Sequence, residues 1–519
     1  MYDSIIDCRF GEWYQPNKEQ SGFRQGQGCI LQLLYISLLI ELAQTLNKDL
    51  FLLLVDYEKA FDFANRAIIL QDLMSQGIGG KFIRAIASMF SESHYIPKTE
   101  GCMVGDLIRT FYGVAQGRKS STNLFSFLIR EMPRSITENP TDFMDPFNVA
   151  QMADDTILAA ESLKSLASKF DNIKTFSNDK NQTINTDKTV YIHMSETPQT
   201  NLLACKDGTV VSSLEQGKSS PYLGMYLYHT NSLKRLIEYN IKKRKFNVAK
   251  FKSWLEVNKN TPLSIKMLVL DNCVLSSILY GSEAWGDLTF ISNELVTIEL
   301  DLLKSVLGVK SGTPTKLVYH ELRRGSIASK LIDRQVNFIK KIKELNVSEA
   351  LVKCMWDRCQ NTDICHYYNS ITSGNFEKDK QSRINEINNS TKTMDVRYRT
   401  LVGLHETHCI YDSDVSDSCR TVLTRWRLSN FDFAIEKGRH GRYKLDIEDR
   451  LCKTCLTLED EEHVLFACPM YHEVRANHQN VFNNKSYVKK ILNPQCRAEL
   501  YETANILKKF EKIHAKFTK

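Results

Sequence analysis

The sequence predicts an α+β protein: a small sheet with helices packed beneath it, then a mostly helical second half. Three observations predict it. Leu50 to Val55 is a short continuous apolar run, suited to a strand buried on both faces, and Asp56 closes it. Phe147 to Ala150 and Thr156 to Ala160 flank Met152-Ala153-Asp154-Asp155, which reads as a tight hairpin with both acids at its tip. Beyond Thr230 apolar residues recur at helical spacing, most clearly over Leu263 to Leu279, Leu295 to Leu307 and Ile327 to Ile342.

Placed side by side in one sheet, the strands bring Asp56, Asp154 and Asp155 together. Crowded carboxylates raise one another's pKa, so such a cluster persists when a cation or a proton neutralises it. Hard oxygen ligands with open water positions suit Mg²⁺. Two such ions about 3.5–4 Å apart activate an attacking oxygen and stabilise a leaving one, which is the chemistry of nucleotidyl transfer. An Asp-Asp pair alone is a common turn feature, because Asp bonds its own backbone. Here it does not stand alone.

A chain of 519 residues is too long for one core, and 42% hydrophobic with 25% charged residues is globular composition. The longest apolar run, around Leu31 to Ala43, contains Gln32 and Glu41 and falls short of the roughly 18 residues a membrane span needs. Met1 to Trp13 has no apolar core of a secretory signal, so an intracellular protein without a membrane partner is expected. Most of the 14 cysteines are scattered singly (Cys29, Cys102, Cys205, Cys273), as in a reducing compartment. A net charge of +7 allows a polyanionic partner without demanding one. Lys234, Arg235, Lys242, Lys243, Arg244, Lys245, Lys250 and Lys252 crowd one helical region, and Lys508, Lys509, Lys512, Lys516 and Lys519 crowd the end. Each run reads equally as a solvated face and as a phosphate-binding one.

Taken in order, residues 1 to 49 are a polar lead containing Gly22-Phe23-Arg24, then a helix from about Ile30 to Leu46. After the strand ending at Asp56 come helices from Arg66 to about Gln76, ended by Gly77, and from Lys81 to Phe90. Gly113-Val114-Ala115-Gln116-Gly117 leads into a helix over Ser120 to Glu131, a Gly-rich turn that lets backbone approach a ligand. The hairpin is followed by a helix over Leu163 to Ser177, a strand over Val190 to Met194, and a strand pair opened by Pro221-Tyr222-Leu223-Gly224. Polar runs such as Asn385 to Lys392 suggest loops, and residues 346 to 440 carry no assigned chemistry.

Near the C-terminus, Cys452-Lys453-Thr454-Cys455, His463 and Cys468 follow C-x2-C-x7-H-x4-C. Three thiolates and an imidazole at this spacing close a tetrahedral structural Zn²⁺ site, one ion, with no open position. Such a unit has almost no core of its own, so metal binding would largely be its folding free energy.

Gly22-Phe23-Arg24, Val55-Asp56-Tyr57-Glu58-Lys59-Ala60-Phe61-Asp62, Gly113 to Gly117 with Ser121 and Phe125, Ala153-Asp154-Asp155, Asn185 with Lys188-Thr189, and Tyr222-Leu223-Gly224 resemble successive blocks of reverse transcriptases, most closely those of LINE-type, non-LTR retrotransposons. Leu279-Tyr280-Gly281-Ser282-Glu283-Ala284-Trp285 is similar to a block that follows the palm in that family, and Arg442 to Arg450 with Glu459 to His463 resemble its C-terminal knuckle. The resemblance implies a right-hand polymerase: partial fingers and palm over 1–230, a helical thumb over 231–345, a helical connection of unassigned role over 346–440, the zinc knuckle over 441–475 and a basic helical tail over 476–519. It implies that Asp56 and Asp154 ligate two Mg²⁺ ions with Asp155 in support, and that Arg24, Phe61, Gln116, Gly117 and Lys188 bind nucleotide and template. Tyr222, Leu223 and Gly224 would hold the primer end. Phe61 matches the ring that blocks a ribose 2′-hydroxyl, although an ordinary core Phe is an equal reading, as is a solvated surface Lys for Lys188.

The implied partners are an RNA template, a DNA primer or target and deoxynucleoside triphosphates, with no protein partner, in nucleus and cytoplasm. Three departures bear on activity. The sequence starts just before Gly22-Phe23-Arg24, so the fingers strand that precedes this block in the family is expected to be missing. Arg118-Lys119-Ser120-Ser121-Thr122 replaces the family's Cys-Pro-Leu-Ser-Pro, and neither an endonuclease nor the carboxylate set of an RNase H is recognisable. Rival readings are a degenerate element fragment that binds nucleic acid without polymerising, and a zinc-dependent RNA-binding module with a structural palm.

Overall fold

The computed structural model describes residues 2–91, 93–96, 98–99, 102–103, 105–136, 144–371, 376–404, 409–411, 415–439, 444–484 and 488–517. Arg442 of the knuckle motif and Lys519 of the basic tail lie outside these residues. Contacts along the chain define two units, each assembled from separated segments. The first comprises Met1–Asn240, Gly281–Asp287 and Gln335–Thr372; the second comprises Ile241–Tyr280, Leu288–Arg334 and Ser373–Lys519. The boundaries expected at 230, 345, 440 and 475 were contiguous in sequence, and the units are not.

In the first unit, the apolar run ahead of Asp56 becomes β1 (Phe51–Val55), buried throughout. With β2 (Val149–Met152), β3 (Asp155–Ala160) and β4 (Val190–His193) it makes an antiparallel sheet in the order β2-β3-β1-β4. Phe51 lies opposite Ala160 and Val55 opposite Thr156, so one residue further on Asp56 falls opposite Asp155. Side chains alternate along a strand, which puts Phe51, Leu53 and Val55 on one face and Leu52, Leu54 and Asp56 on the other. The first face belongs to a core with Leu166, Phe170 and Ile173 of the helix Leu163–Asp179.

The opposite face is served by a helix that is apolar all round, Cys29–Thr45, as a fully buried helix must be. Its Tyr35 hydroxyl donates to the Phe147 carbonyl (2.8 Å) and its Gln32 amide to the Gln151 carbonyl (2.9 Å), so it is fastened to β2 and the segment before it. The polar lead expected before Gly22 is a helix over Tyr2–Trp13. Only Ile6 and Phe10 mark its buried side, too few to show as periodicity. Phe10 packs among the rings of Trp13, Tyr14, Phe82 and Phe127. The acids of this helix serve another one: Asp3 accepts from the Lys119 amide (2.8 Å) and the Ser120 hydroxyl, and Asp7 from the Asn123 amide (2.8 Å). Asp3 satisfies one of the unpaired backbone N–H groups of the helix Lys119–Leu128, and both acids oppose its positive end.

The second unit is helical. Part of its basic run is spent internally: Lys245 pairs with Glu294, Lys252 with Asp301 (2.5 Å), and buried Arg244 donates to the Tyr280 carbonyl (2.7 Å). The stretch Leu263–Ala284 is long and apolar enough to cross a bilayer by composition. Its Lys266 nevertheless pairs with Asp417 (2.7 Å) and its Asp271 with Arg324 (2.5 Å), which ties its residues up to Tyr280 into this unit. The polar run from Asn385, expected as a loop, instead ends the helix Phe376–Asn389. Arg399 makes this possible by donating to the carbonyls of Ile387 (3.0 Å), Asn388 (2.9 Å) and Ser390 (2.6 Å), the acceptors a helix end leaves over.

Candidate functional site

A two-residue loop, Ala153-Asp154, joins β2 to β3, with Met152 opposite Asp155. Ala153 is left-handed (φ 61°), a conformation that costs a non-glycine residue roughly 1–2 kcal/mol. Gln20 offsets that cost. Its side-chain oxygen accepts from the amides of Ala153 (2.9 Å) and Gly22 (2.8 Å), and its side-chain amide donates to the Ala153 carbonyl (3.1 Å). The same segment runs beside β2, with Ser21 donating to the Gln151 carbonyl (2.9 Å) and the Gln151 amide to the Glu19 carbonyl (2.8 Å). A Cβ on Gly22 would lie 2.4 Å from the Ala153 nitrogen, so only glycine lets this segment brace the acidic turn.

Asp56 is fixed from its other side. Its amide donates to Thr189 Oγ1 (3.2 Å) and its carbonyl accepts from the Asn185 amide (2.8 Å). Thr189 in turn donates to the Asn185 carbonyl (2.8 Å), and the Lys188 amide to Asn185 Oδ1 (3.2 Å). The Asn185–Thr189 turn thus clamps the strand end and leaves the Lys188 side chain exposed beside it. Although Asp155 lies at the surface, burial of its carboxyl raises its pKa to about 6, with the charges of Asp154 and Asp56 adding to the rise. Asp154 is raised as well, first by burial and then by Asp56. Asp154 and Asp155 therefore both sense Asp56, and Asp155 senses Asp154, as members of a cation-seeking cluster do. They are not among the described groups whose donor atoms all lie within 4.8 Å.

A second turn meets this end of the sheet. The strands Ser220–Tyr222 and Met225–Leu227 are joined by Leu223 (φ 46°) and Gly224 (φ 76°), positive at both loop positions as a type I′ hairpin requires. Tyr222 is buried with no hydrogen-bond partner for its hydroxyl, and burial, then the Asp155 charge, push its pKa well up. Phe61 is half-buried, stacked on Phe125 (4.3 Å between centroids) and edge-on to Phe23 (6.2 Å). Gly113 packs on the Asp62 carbonyl, which a Cβ would approach to 2.6 Å, and past it Gln116 and Gly117 are exposed ahead of the helix Lys119–Leu128.

Arg24 is placed differently from the other expected ligand-binding residues. Its guanidinium donates to the carbonyls of Asn17 (3.1 Å), Gln20 (3.4 Å) and Glu349, so it holds chain segments together. Gln20 and Asp3, which position the acidic turn and the helix Lys119–Leu128, were not picked out from the sequence. No local pattern marks either, because each acts on a segment more than a hundred residues away.

In the second unit Cys452, Cys455, His463 and Cys468 converge with all donor atoms within 4.8 Å of one another. Cys468 Sγ lies 3.9 Å from Cys452 Sγ and 3.7 Å from Cys455 Sγ. Disulfide sulfurs are about 2.05 Å apart, whereas tetrahedral Zn–S bonds of about 2.3 Å set them about 3.8 Å apart. Thr457 meets His463 Nδ1 (3.2 Å), while His463 Nε2 is buried without a partner, the nitrogen a metal would take. The donor set fits a four-coordinate soft-metal site. The knuckle is not free of a core, as its size suggested: Cys452 and Cys468 belong to a cluster with Val464, Leu465, Trp426 and Phe510. Two of its acids are buried too, Glu461 pairing with Arg397 and accepting from Ser429 (2.6 Å), Glu459 accepting from the Ala434 amide (2.5 Å).

Residues 3–227 match the family model described as reverse transcriptase (RNA-dependent DNA polymerase). Among solved structures, telomerase from Candida albicans in complex with a TWJ fragment of telomeric RNA aligns over 71% of this chain and 56% of its own, at 13% identity and a TM-score of 0.27. Telomerase from Candida tropicalis in the corresponding complex aligns over 72% and 56%, at 11% identity and a TM-score of 0.30. The chain spans little more than half the length of these two.

Proposed function

We propose, from the premise that residues 3–227 form a reverse transcriptase domain, that the protein is an RNA-directed DNA polymerase of the LINE-type, non-LTR subfamily. One observation carries this: the sheet register sets Asp56 opposite Asp155, with Asp154 on the adjoining turn, inside the matched segment. Asp56, Asp154 and Asp155 would hold two Mg²⁺ ions, which when bound stabilise the charge that moves in phosphoryl transfer. The Phe61 ring, stacked on Phe125, would block a ribose 2′-hydroxyl. Lys188, exposed beside the Asp56 clamp, would offset triphosphate charge, Gln116 and Gly117 would line the template, and the Tyr222-Leu223-Gly224 turn would seat the primer end. Cys452, Cys455, His463 and Cys468 would hold one structural Zn²⁺. The helical segments after residue 230 would act as thumb and connection, and the partners would be RNA template, DNA primer and deoxynucleoside triphosphates, in nucleus and cytoplasm.

Primer extension on poly-rA with oligo-dT tests the reading. Magnesium-dependent synthesis that Asp154→Ala abolishes is expected; extension that survives the substitution overturns it. A second reading, a nucleic-acid-binding remnant without polymerase activity, draws on Arg24, whose Nη1 is committed to carbonyls, and on the Arg118–Thr122 replacement. Binding of a primer–template without any Asp154-dependent extension at millimolar nucleotide decides for it.

A further inference from the structure

The lysines crowded toward the C-terminus are sorted by the helix that carries them. In Arg497–Phe517, Lys508, Glu511, Lys512 and Ala515 fall on one face at helical spacing, and that face walls a cavity of about 770 Å³ within the second unit. Lys509 stands off this face, against His478 Nε2 (2.8 Å). Residues 308–310, residues 430–433 and Lys437 supply other walls. The lining carries the cations Lys310, Arg425, Lys437, Lys508 and Lys512 against two carboxylates, and both carboxylates are engaged: Asp432 pairs with Lys310 (2.8 Å) and Glu511 with Arg425. With these pairs set aside, Lys437, Lys508 and Lys512 remain. Lys508 donates to the Ser418 hydroxyl (3.1 Å) and lies 3.6 Å from Cys419 Sγ, whereas Lys437 and Lys512 are exposed and form no ion pair among the described residues. Burial, the largest influence on Glu511, raises its pKa and so weakens its hold on negative charge. A hollow lined by an excess of one sign concentrates the opposite ion, so an anion is favoured there.

The lining also says which anion. Its phenylalanine rings belong to the core and are already covered: Phe431 packs on Trp426 (5.1 Å between centroids) and Phe433 (4.6 Å), and Phe433 on His514 (4.6 Å). A nucleobase would find no open ring to stack on. The three remaining cations are ammonium groups, point charges that meet phosphate without the flat fork that arginine offers a carboxylate. One phosphate carries about 1.5–2 negative charges near neutral pH and would leave part of this excess unmatched. Lys437 stands at the end of the short helix Ala434–Lys437, and Lys508 and Lys512 on the long one, so the charges surround a hollow and suit phosphates clustered on one molecule.

We propose that this cavity binds a compact small molecule carrying at least two phosphate groups, held by Lys437, Lys508 and Lys512. The site is separate from the carboxylate cluster and does not rest on polymerase activity. Its ligand is either an inorganic polyphosphate or a polyol esterified with several phosphates; clustered phosphate is the chemistry the two share.

The test is titration calorimetry on the full chain carrying Asp154→Ala, without magnesium and at physiological ionic strength, where exposed charges more than about 8 Å apart are screened. The probes are inorganic phosphate, tripolyphosphate, inositol hexakisphosphate and a single-stranded RNA. Saturable binding of tripolyphosphate or the hexakisphosphate at least tenfold tighter than phosphate is expected. Lys437→Ala with Lys512→Ala should weaken it tenfold or more at an unchanged melting temperature, while Lys509→Ala leaves it unchanged. Tighter binding of tripolyphosphate points to an inorganic chain; tighter binding of the hexakisphosphate, to a phosphorylated polyol. Hydrogen exchange should slow over Ala434–Lys437 and Arg497–Phe517 on binding. Phosphate binding as tightly as either polyphosphate, RNA binding more tightly than both, no saturable binding, an equal loss with Lys509→Ala, or indifference to the double substitution, as chelation of zinc by the probe would show, overturns the proposal.

Discussion

The two candidate metal sites are built in opposite ways. Around Cys468 the donors already converge, sulfurs 3.7–3.9 Å apart, and two of the cysteines are part of a hydrophobic core. At the other site Asp56, Asp154 and Asp155 stand where the two inner strands of a sheet end, on a strand end and a turn, close enough for Asp154 and Asp155 to be perturbed by their neighbours yet not drawn into one cluster. Neutral thiols and an imidazole can be packed together by the fold alone. Three carboxylates cannot, because the repulsion grows as water is excluded. The fold therefore spends its constraints on backbone, through Gln20, Gly22, Asn185 and Thr189, and leaves the acid side chains to be gathered by what binds them.

The largest expected effect comes from the cysteine side of this comparison. The full chain should carry one equivalent of zinc by elemental analysis, with binding worth on the order of 10 kcal/mol at neutral pH, and Cys468→Ser should lose it. Hydrogen exchange should then open over 450–470 while Arg497–Phe517, packed through Phe510, stays protected. If metal loss melts both alike, the knuckle is more than an inset in this core.

Next, Asp154→Ala should cut extension about a thousandfold or more, the several kcal/mol a metal clamp supplies. It should leave the melting temperature unchanged or slightly raised, because it removes one of three repelling charges. A lowered melting temperature would mean that the acids brace the fold as the cysteines do.

Gly22→Ala probes the backbone brace. With the new methyl 2.4 Å from the Ala153 nitrogen, the turn or the lead must move, costing roughly 1–3 kcal/mol. A shift of about 1 Å at the acids should lower extension roughly a hundredfold in turnover, with metal at the cysteine site unaffected.

The smallest effect concerns Glu41, which accepts from the Ile364 amide (2.8 Å) and whose pKa burial raises to about 7. A raised acid stabilises the fold while protonated, fully below its unfolded pKa near 4.5, and that contribution is lost as pH rises through about 7. Glu41→Gln should thus be neutral at pH 4.5 and stabilising by about 1–3 kcal/mol at pH 8, read as a difference in melting curves.

What could be read from sequence follows the range of the interactions. The strand before Asp56, the Asp154-Asp155 hairpin and the Cys/His spacing are written in neighbouring residues; the sheet pairs the first two as expected, and the four Cys/His donors converge. Gln20 on Ala153, Asp3 on Lys119 and Arg399 on the last turn before Ser390 act across the chain or against pattern, and no window of sequence contains both partners' geometry. Arg24 illustrates the limit from the other side: a motif residue whose position was legible and whose hydrogen bonds were not.

The scattered make-up of the first unit has a consequence in time. Its last segment, Gln335–Thr372, supplies the Ile364 amide that Glu41 caps and the Glu349 carbonyl that Arg24 grips. A ribosome adding about 5–20 residues per second needs roughly 7–26 seconds to go from residue 240 to residue 372. For that interval the sheet is made but Cys29–Thr45 lacks part of its covering, so the nascent chain presents an apolar helix to whatever chaperone is near.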